Sequence, residues 1–485
     1  MANASLSATA PFSFVLFGAS GHLATLKIYP SLYILALKKR LPEQFSIIGF
    51  ARTEMDISSF RKMVADSIHA SLPEVNEAKL KAFLEHVHYV RGQYDRKEDF
   101  LRLAQELESH EKGRKDTVRL AYLSIPPTVF TSVLKNMCAG GVHDGKVPFR
   151  CIVEKPVGHD LNSFEQIKKE LTSCFREEEI FLLDHYLGKE AVRNIYYLRY
   201  ANPLLERLFK NTLIHHVEVT ASEAAGIEGR AGYFEHTGTF RDMIQSHLLE
   251  MCALLTMRLI EEGESFRESR QHALEQFYLP PASDVNNIVL VGQYTEGAAQ
   301  GKKAQGYREE KDIDPASRTN TFAALKLLSR ASRWQGVPFY LRSGKRLAKK
   351  ETRISIQFQA PLAVGPGSAP NRLDIILQGE AGMRIYLQTK LGGTEPMFRP
   401  LILEDPLVCI GDCLPEHGLL LLEAIHGKQQ WFLRFNEVQS AWRLLDPLQA
   451  HLDNPLTEIH PYAAGSEGPK DVRDWILKDR TEWLV

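Results

Sequence analysis

A rhythm running through roughly the first 180 residues limits the fold more than any other feature of this chain. Short apolar runs at Phe12–Phe17, Phe45–Phe50, Val87–Val90, Arg119–Ile125, Phe149–Glu154 and Ile180–Asp184 are separated by segments long enough for a helix. A strand that stays apolar on consecutive residues is buried on both faces. A helix-length gap supplies the crossover that parallel pairing requires. The pattern predicts a mainly parallel, doubly wound sheet, with Leu26–Arg40 as its first crossover helix.

After about residue 190 the pattern changes. His216–Thr220, Arg353–Gln359, Arg372–Gln378 and Met383–Thr389 alternate apolar and polar residues, as strands of an antiparallel sheet with one covered face do. Phe240–Ile260 and Phe322–Arg333 read as helical, Ala360–Ala369 as a Pro/Gly-rich loop, and the tail as Gly465, Gly468 and Pro469 before a short helix. A chain of 485 residues is too long for one core. The expected organisation is therefore α/β, a Rossmann-like dinucleotide-binding domain over residues 1–183, followed by a larger α+β domain over 184–485 with a mostly antiparallel sheet.

Charge narrows the partners. Lys and Arg total 59 against 60 Asp and Glu, which argues against nucleic acid or an anionic membrane as the main partner. No uninterrupted apolar run approaches the ~18 residues of a membrane span, and the N-terminus lacks the basic start of a secretion signal. Six cysteines in so long a chain are not expected to form a disulfide framework. Cys409 and Cys413 have no second pair or metal-spaced histidine to complete a site. A reducing cytoplasm fits these features.

Two clusters carry chemistry. Gly18-Ala19-Ser20-Gly21-His22-Leu23-Ala24 follows the first strand and opens the first helix. Glycine there allows a tight turn and close approach to a pyrophosphate at the helix N-terminus. The second strand ends Gly49-Phe50-Ala51-Arg52-Thr53, where an NAD site would present a carboxylate. Arg52 instead suits a 2′-phosphate, which favours NADP, with NAD possible. Pro126 ends another strand where a dinucleotide can cross the sheet.

The second cluster is Leu182-Leu183-Asp184-His185-Tyr186-Leu187-Gly188-Lys189-Glu190. Lys155 and Asp184 close neighbouring strands, so both should face the crevice beyond the strand ends. If a helix follows Asp184, His185 and Lys189 share a face and, with Tyr186, can surround a phosphate dianion. Further on, Asp242 and His247 lie five apart, about one and a third α-helical turns. His247, a lone imidazole on a largely apolar helix, reads at least as readily as a core histidine as it does as a base.

These motifs, in this order, resemble the glucose-6-phosphate dehydrogenase family over essentially the whole chain. The family's GASGDLA is GASGHLA here, its EKP is Glu154-Lys155-Pro156, and its RIDHYLGKE is LLDHYLGKE. Its GxEGRxGYF, RDMxQNHLL and FYLRxGKxL segments are Gly226–Phe234, Arg241–Leu249 and Phe339–Leu347. The resemblance implies hydride transfer from C1 of glucose 6-phosphate to NADP without a metal. His247 would be the general base and Asp184 the carboxylate that supports its imidazolium. His185, Tyr186, Lys189 and Lys345 would bind the 6-phosphate, and Lys155, Glu223 and Asp242 the sugar hydroxyls, with Lys27 and Lys350 nearby. Gly18, Ser20, Gly21, His22, Leu23, Arg52, Pro126 and Lys155 would line the cofactor, and the Lys155–Pro156 bond would be cis. Assembly as a homodimer or homotetramer through the large sheet is also implied.

The chain departs from the family pattern at His22 (an aspartate there), Thr25-Leu26 (a basic run), Leu182-Leu183, Val157, His159, Phe209-Lys210 and Ser246. The readings left open are a relative preferring NAD or another aldose phosphate, and a non-catalytic sugar-phosphate binder. The latter would expect His247 or Asp184 to be replaced.

Overall fold

The computed structural model describes residues 10–484 apart from 283, 300, 362–366 and 410. Two compact units emerge, one of Met1–Glu190 with Cys409–Phe435 and one of Ala191–Val408 with Asn436–Val485. The expected boundary at 183/184 falls just before the division after Glu190. The return of Cys409–Phe435 to the first unit has no counterpart in the sequence pattern.

The first unit holds β1 (Phe12–Phe17), β2 (Phe45–Ala51), β3 (Val87–Arg91), β4 (Val118–Leu123), β5 (Phe149–Glu154) and β6 (Ile180–Leu183). They form one sheet in the order β3-β2-β1-β4-β5-β6, and every pair is parallel. All residues of β1, β2, β4 and β6 are buried, as unbroken apolar runs require. The order reverses between β1 and β4, which opens a crevice at their carboxyl ends. The first crossover starts earlier than expected, with a π-helical turn at Ala24–Ile28 running into an α-helix over Tyr29–Leu37.

The returning segment adds the helix Glu416–Ile425 and lays Leu433 beside β6, where its N–H donates to the Leu182 carbonyl at 2.9 Å. Leu182 and Leu183, where the family has Arg and Ile, are buried β6 residues.

The second unit contains β7 (Ile214–Ser222), β8 (Phe277–Tyr278), β9 (Val289–Thr295), β10 (Gly297–Ala299), β11 (Lys302–Ala304), β12 (Phe322–Ser329), β13 (Phe339–Gly344), β14 (Glu351–Phe358), β15 (Arg372–Gln378), β16 (Gly382–Lys390), β17 (Phe398–Pro406) and β18 (His460–Ala463). Its main sheet runs β17-β16-β15-β14-β7-β13-β12-β9-β18, with β8 pairing β12 and with β10 and β11 forming a separate hairpin. Among the described residues, β7–β13 and β9–β18 pair parallel and the other pairs are antiparallel, as the alternation predicts.

One prediction fails: Phe322–Arg333 is not a helix. Its first eight residues are β12, held between β13 and β9. Ala, Leu and Lys favour a helix locally, but burial on both sheet faces overrides that propensity. The expected helix after Pro469 is present at Asp471–Leu477. Residues 362–366 of the Ala360–Ala369 loop lie outside the described residues.

The cysteine reading is also corrected. Cys138 is joined to Cys174, and Cys409 to Cys413, as disulfides, while Cys151 and Cys252 are buried free thiols. Cys138 and Cys174 are 36 residues apart and meet only because their helices pack together. Among the described residues no helix is long and apolar enough to cross a membrane.

Candidate functional site

In the first unit the glycine turn takes the geometry its residues suggest. Gly18 has φ +77°, and a Cβ there would collide with the Ser124 carbonyl. The Gly21 N–H closes the turn on the Gly18 carbonyl at 2.8 Å, and Gly18 N–H donates to the Phe50 carbonyl of β2 at 3.1 Å. Tyr29, not singled out in the sequence, is buried and donates its hydroxyl to the Ala19 carbonyl at 2.7 Å from behind the loop. His22 is exposed and Leu23 half-buried where the helix begins. The Thr25 hydroxyl is used locally, donating to the Gly21 and His22 carbonyls at 3.2 and 3.1 Å.

Ser20 and Thr53 hydroxyls lie 2.8 Å apart, so the turn after β1 is tied to the end of β2. Arg52 is exposed beside them, with its guanidinium 5.5 Å from the Tyr94 ring centroid. Pro126 follows β4 in the next loop. Gly18, Ser20, Gly21, Arg52 and Pro126 therefore gather at the carboxyl ends of β1, β2 and β4.

Lys155 and Asp184 follow β5 and β6 and meet as expected. Lys155 Nζ is 3.6 Å from Asp184 Oδ2, and the Asp184 side chain is fully buried. The Lys155–Pro156 bond is cis. Val157 is buried packing and His159 is exposed, so neither departure reaches this pair.

The turn after Asp184 differs from the helix considered in the sequence. Asp184 Oδ1 accepts the Tyr186 N–H at 2.9 Å and caps a 3₁₀ turn over His185–Gly188; Lys189 is extended, and the α-helix begins only at Glu190. His185 and Lys189 consequently do not share an α-helical face. They converge on Tyr186 instead, with Lys189 Nζ 3.5 Å from its ring centroid and the His185 ring edge-on at 5.1 Å. A cation, an imidazole and a phenol thus crowd one turn, the donor set a phosphate dianion calls for.

Sequence reasoning missed the residues behind that turn. Gly188 is in van der Waals contact with the helix Glu416–Ile425, since a Cβ on it would strike the Glu416 carbonyl. His417 lies parallel to His185 at 6.2 Å between ring centroids. Its Nε2 is 3.5 Å from Glu154 and its Nδ1 3.8 Å from Glu416. Burial pulls the His417 pKa down, but the two carboxylates outweigh it and the net shift is upward. Glu416 is held well below the usual carboxylate range by its hydrogen bond to His417, against its partial burial, with Lys27 adding to the effect. Lys27 Nζ is 3.2 Å from Glu416 Oε1. Tyr122 donates to Glu154, and burial raises its pKa well above the ordinary phenol value. No local signal could have linked Glu416 and His417 to a segment more than two hundred residues upstream.

The second unit brings together a separate group. Because β7 and β13 pair parallel, with Ser222 opposite Gly344, Glu223 and Lys345 leave adjacent strand ends side by side. Lys345 is buried, ion-paired with Glu223 and 5.0 Å from the Phe234 ring centroid. The Tyr233 hydroxyl donates to Asp242 Oδ1 at 3.2 Å, and burial followed by the Asp242 charge raises the Tyr233 pKa. Lys350 is exposed just before β14 and forms no ion pair among the described residues.

Asp242 and His247 both lie in a π-helical stretch, Phe240–Leu248, that continues as the α-helix Leu249–Thr256. The α-helical spacing assumed from sequence is replaced by π geometry, in which residues five apart are neighbours along the hydrogen-bond direction. His247 is buried, and Ser246, where the family has asparagine, donates its hydroxyl to the Asp242 carbonyl at 2.9 Å.

A parallel sheet reversing at β1/β4, a glycine turn before a helix, and a lysine–aspartate pair at the strand ends define a dinucleotide-dependent oxidoreductase. Residues 15–194 match the family model for the glucose-6-phosphate dehydrogenase NAD binding domain, and residues 196–484 the model for its C-terminal domain. The chain belongs to the glucose-6-phosphate dehydrogenase family.

Two relatives named glucose-6-phosphate 1-dehydrogenase illustrate the range. That of Emericella nidulans is 36% identical over 471 residues, covering 95% of this chain and 90% of its own. That of Chlamydia pneumoniae is 34% identical over 494 residues, covering 98% and 96%. Among solved structures, a glucose-6-phosphate dehydrogenase in complex with its substrate glucose-6-phosphate superposes with a TM-score of 0.88 at 29% identity, covering 100% of both chains. The Mycobacterium avium glucose-6-phosphate 1-dehydrogenase gives 0.84 at 26% identity, covering 98% and 99%.

Proposed function

We propose that this chain oxidises D-glucose 6-phosphate at C1, passing hydride to NADP and yielding 6-phospho-D-glucono-1,5-lactone, the entry step of the pentose phosphate pathway. The observation that carries the reading is Lys155 against a fully buried Asp184 at neighbouring strand ends, in a chain that matches the family from end to end. In this reading His247 takes the C1 hydroxyl proton as hydride leaves, and Asp184 is the carboxylate that supports the imidazolium. His185, Tyr186, Lys189 and Lys345 hold the phosphate, and its binding energy places C1 against the nicotinamide. Lys155, Glu223 and Asp242 bond the sugar hydroxyls, with Lys27 and Lys350 as outer cations.

The dinucleotide binds over Gly18, Ser20, Gly21, His22, Leu23 and Pro126. Preference for NADP over NAD rests on Arg52, exposed beside the Ser20 and Thr53 hydroxyls, three donors suited to a 2′-phosphate. The nicotinamide accepts the hydride; the chain's own groups move the proton and orient the sugar.

Replacing the proposed base tests the reading. His247→Asn should cut kcat with glucose 6-phosphate at least about 100-fold while sugar affinity holds. Lys189→Ala should instead raise KM. Native turnover in His247→Asn would remove this histidine from the mechanism.

A further inference from the structure

Cys138 lies in the last turn of the helix Phe130–Ala139, and Cys174 ends the helix Leu161–Cys174, which packs alongside it. Their Cα atoms are 6.2 Å apart. His143 stands against the pair, its Nδ1 3.9 Å from Cys138 Sγ, and ligand atoms of all three side chains lie within 4.8 Å of one another. Two aromatic rings fix the imidazole, with Phe149 and Phe175 edge-on at 4.9 and 5.1 Å. Its far nitrogen, Nε2, is 3.6 Å from Glu179 Oε1. Glu179 is itself anchored by the Arg176 backbone N–H at 2.8 Å and guanidinium at 3.0 Å.

We propose that with the disulfide reduced, Cys138, Cys174 and His143 bind a zinc(II) ion through two thiolates and the imidazole Nδ1. Two sulfurs and one imidazole are a donor set that selects a borderline-soft metal over magnesium or calcium. Zinc bonds of about 2.3 Å to sulfur and 2.05 Å to nitrogen, at a tetrahedral angle, separate the two donors by about 3.5 Å, close to the spacing found. Glu179, 3.6 Å from the opposite ring nitrogen, stands on the side where metal-binding histidines commonly carry an outer carboxylate. All three ligand residues are half-buried, and the fourth ligand of a tetrahedral zinc would be water. The trio lies towards Phe149, where β5 begins, at the opposite end of the sheet from Lys155. The ion is therefore structural with respect to hydride transfer.

The disulfide and the metal exclude each other. Hydrogen peroxide takes two electrons from the two thiolates; the S–S bond forms, the zinc ion leaves, and the peroxide with two protons becomes two waters. Each state ties the two helices together by different chemistry.

The test uses the full chain, reduced with a phosphine, loaded with zinc and dialysed. Elemental analysis should find about one zinc per chain, released by peroxide and lost in both Cys138→Ser and His143→Ala, with Cys409→Ser unchanged. Native glucose 6-phosphate turnover in these variants controls for folding, since none touches the candidate catalytic residues. Cobalt(II) substituted for zinc should give a thiolate-to-cobalt charge-transfer band that disappears in Cys138→Ser. A reduced chain that retains no zinc, stoichiometry insensitive to Cys138, or zinc lost with Cys409 instead would each overturn the proposal.

Discussion

His417 gives the candidate site its most readable pH signature. It is about 5% exposed, wedged between Glu154 and Glu416, with its ring parallel to His185. Because its folded pKa is raised, its stabilising contribution is fully present below the unfolded value of about 6.5 and is lost as pH climbs through the folded value. Glu416 works in the opposite sense: its contribution is present above about 4.3 and lost in acid. The melting temperature should therefore fall as pH rises above about 6.5 more steeply in the native chain than in His417→Asn. Equal slopes in a thermal melt series would show that the two carboxylates do not hold the proton there. The residues the motifs supplied, Asp184, His185, Tyr186 and Lys189, were legible because they sit in one dense run. Glu416 and His417 were not, because only the folded chain brings them there.

At the level of elements, the 3₁₀ turn at His185–Gly188 depends on contact with the helix Glu416–Ile425. Gly188→Ala places a methyl against the Glu416 carbonyl, an overpacking that costs about 1–3 kcal/mol. The melting temperature should drop by several degrees and KM for glucose 6-phosphate should rise, since the same turn carries His185, Tyr186 and the approach to Lys189. Native values for both would mean that the helix moves aside freely. Strand periodicity was readable where burial is uniform: Phe12–Phe17 forms as expected, and Phe45–Phe50 forms within β2. It failed at β12, where helix-favouring residues are flanked by strands on both sides. The π-helical turn at Phe240–Leu248 was invisible for a related reason, since apolar spacing does not distinguish an i+5 from an i+4 hydrogen-bond register.

For the whole molecule, the sheet of the second unit leaves β17 paired, among the described residues, with β16 alone. Leu401, Ile402 and Leu403 on that strand are exposed, Ile402 by 51% and Leu403 by 50%, and Val408 follows at 66%. Apolar side chains crowded on a sheet edge mark an association surface. A homodimer or homotetramer through this sheet is accordingly expected. Light scattering should give a mass of at least twice 54.9 kDa, and Leu403→Glu should reduce it towards the single chain. A monomeric native chain at micromolar concentration would exclude the surface.

The family as a whole was legible from motif order alone. The chain's own departures gather at the cofactor loop, where His22, Thr25 and Leu26 stand in place of the family's charged residues, and the proposed preference for NADP rests on Arg52. Initial-rate absorbance of the reduced nicotinamide, with glucose 6-phosphate and either NADP or NAD, tests the central claim most directly. Turnover with NADP, at a kcat/KM above that with NAD, is the predicted result. No reduction of either cofactor would contradict it.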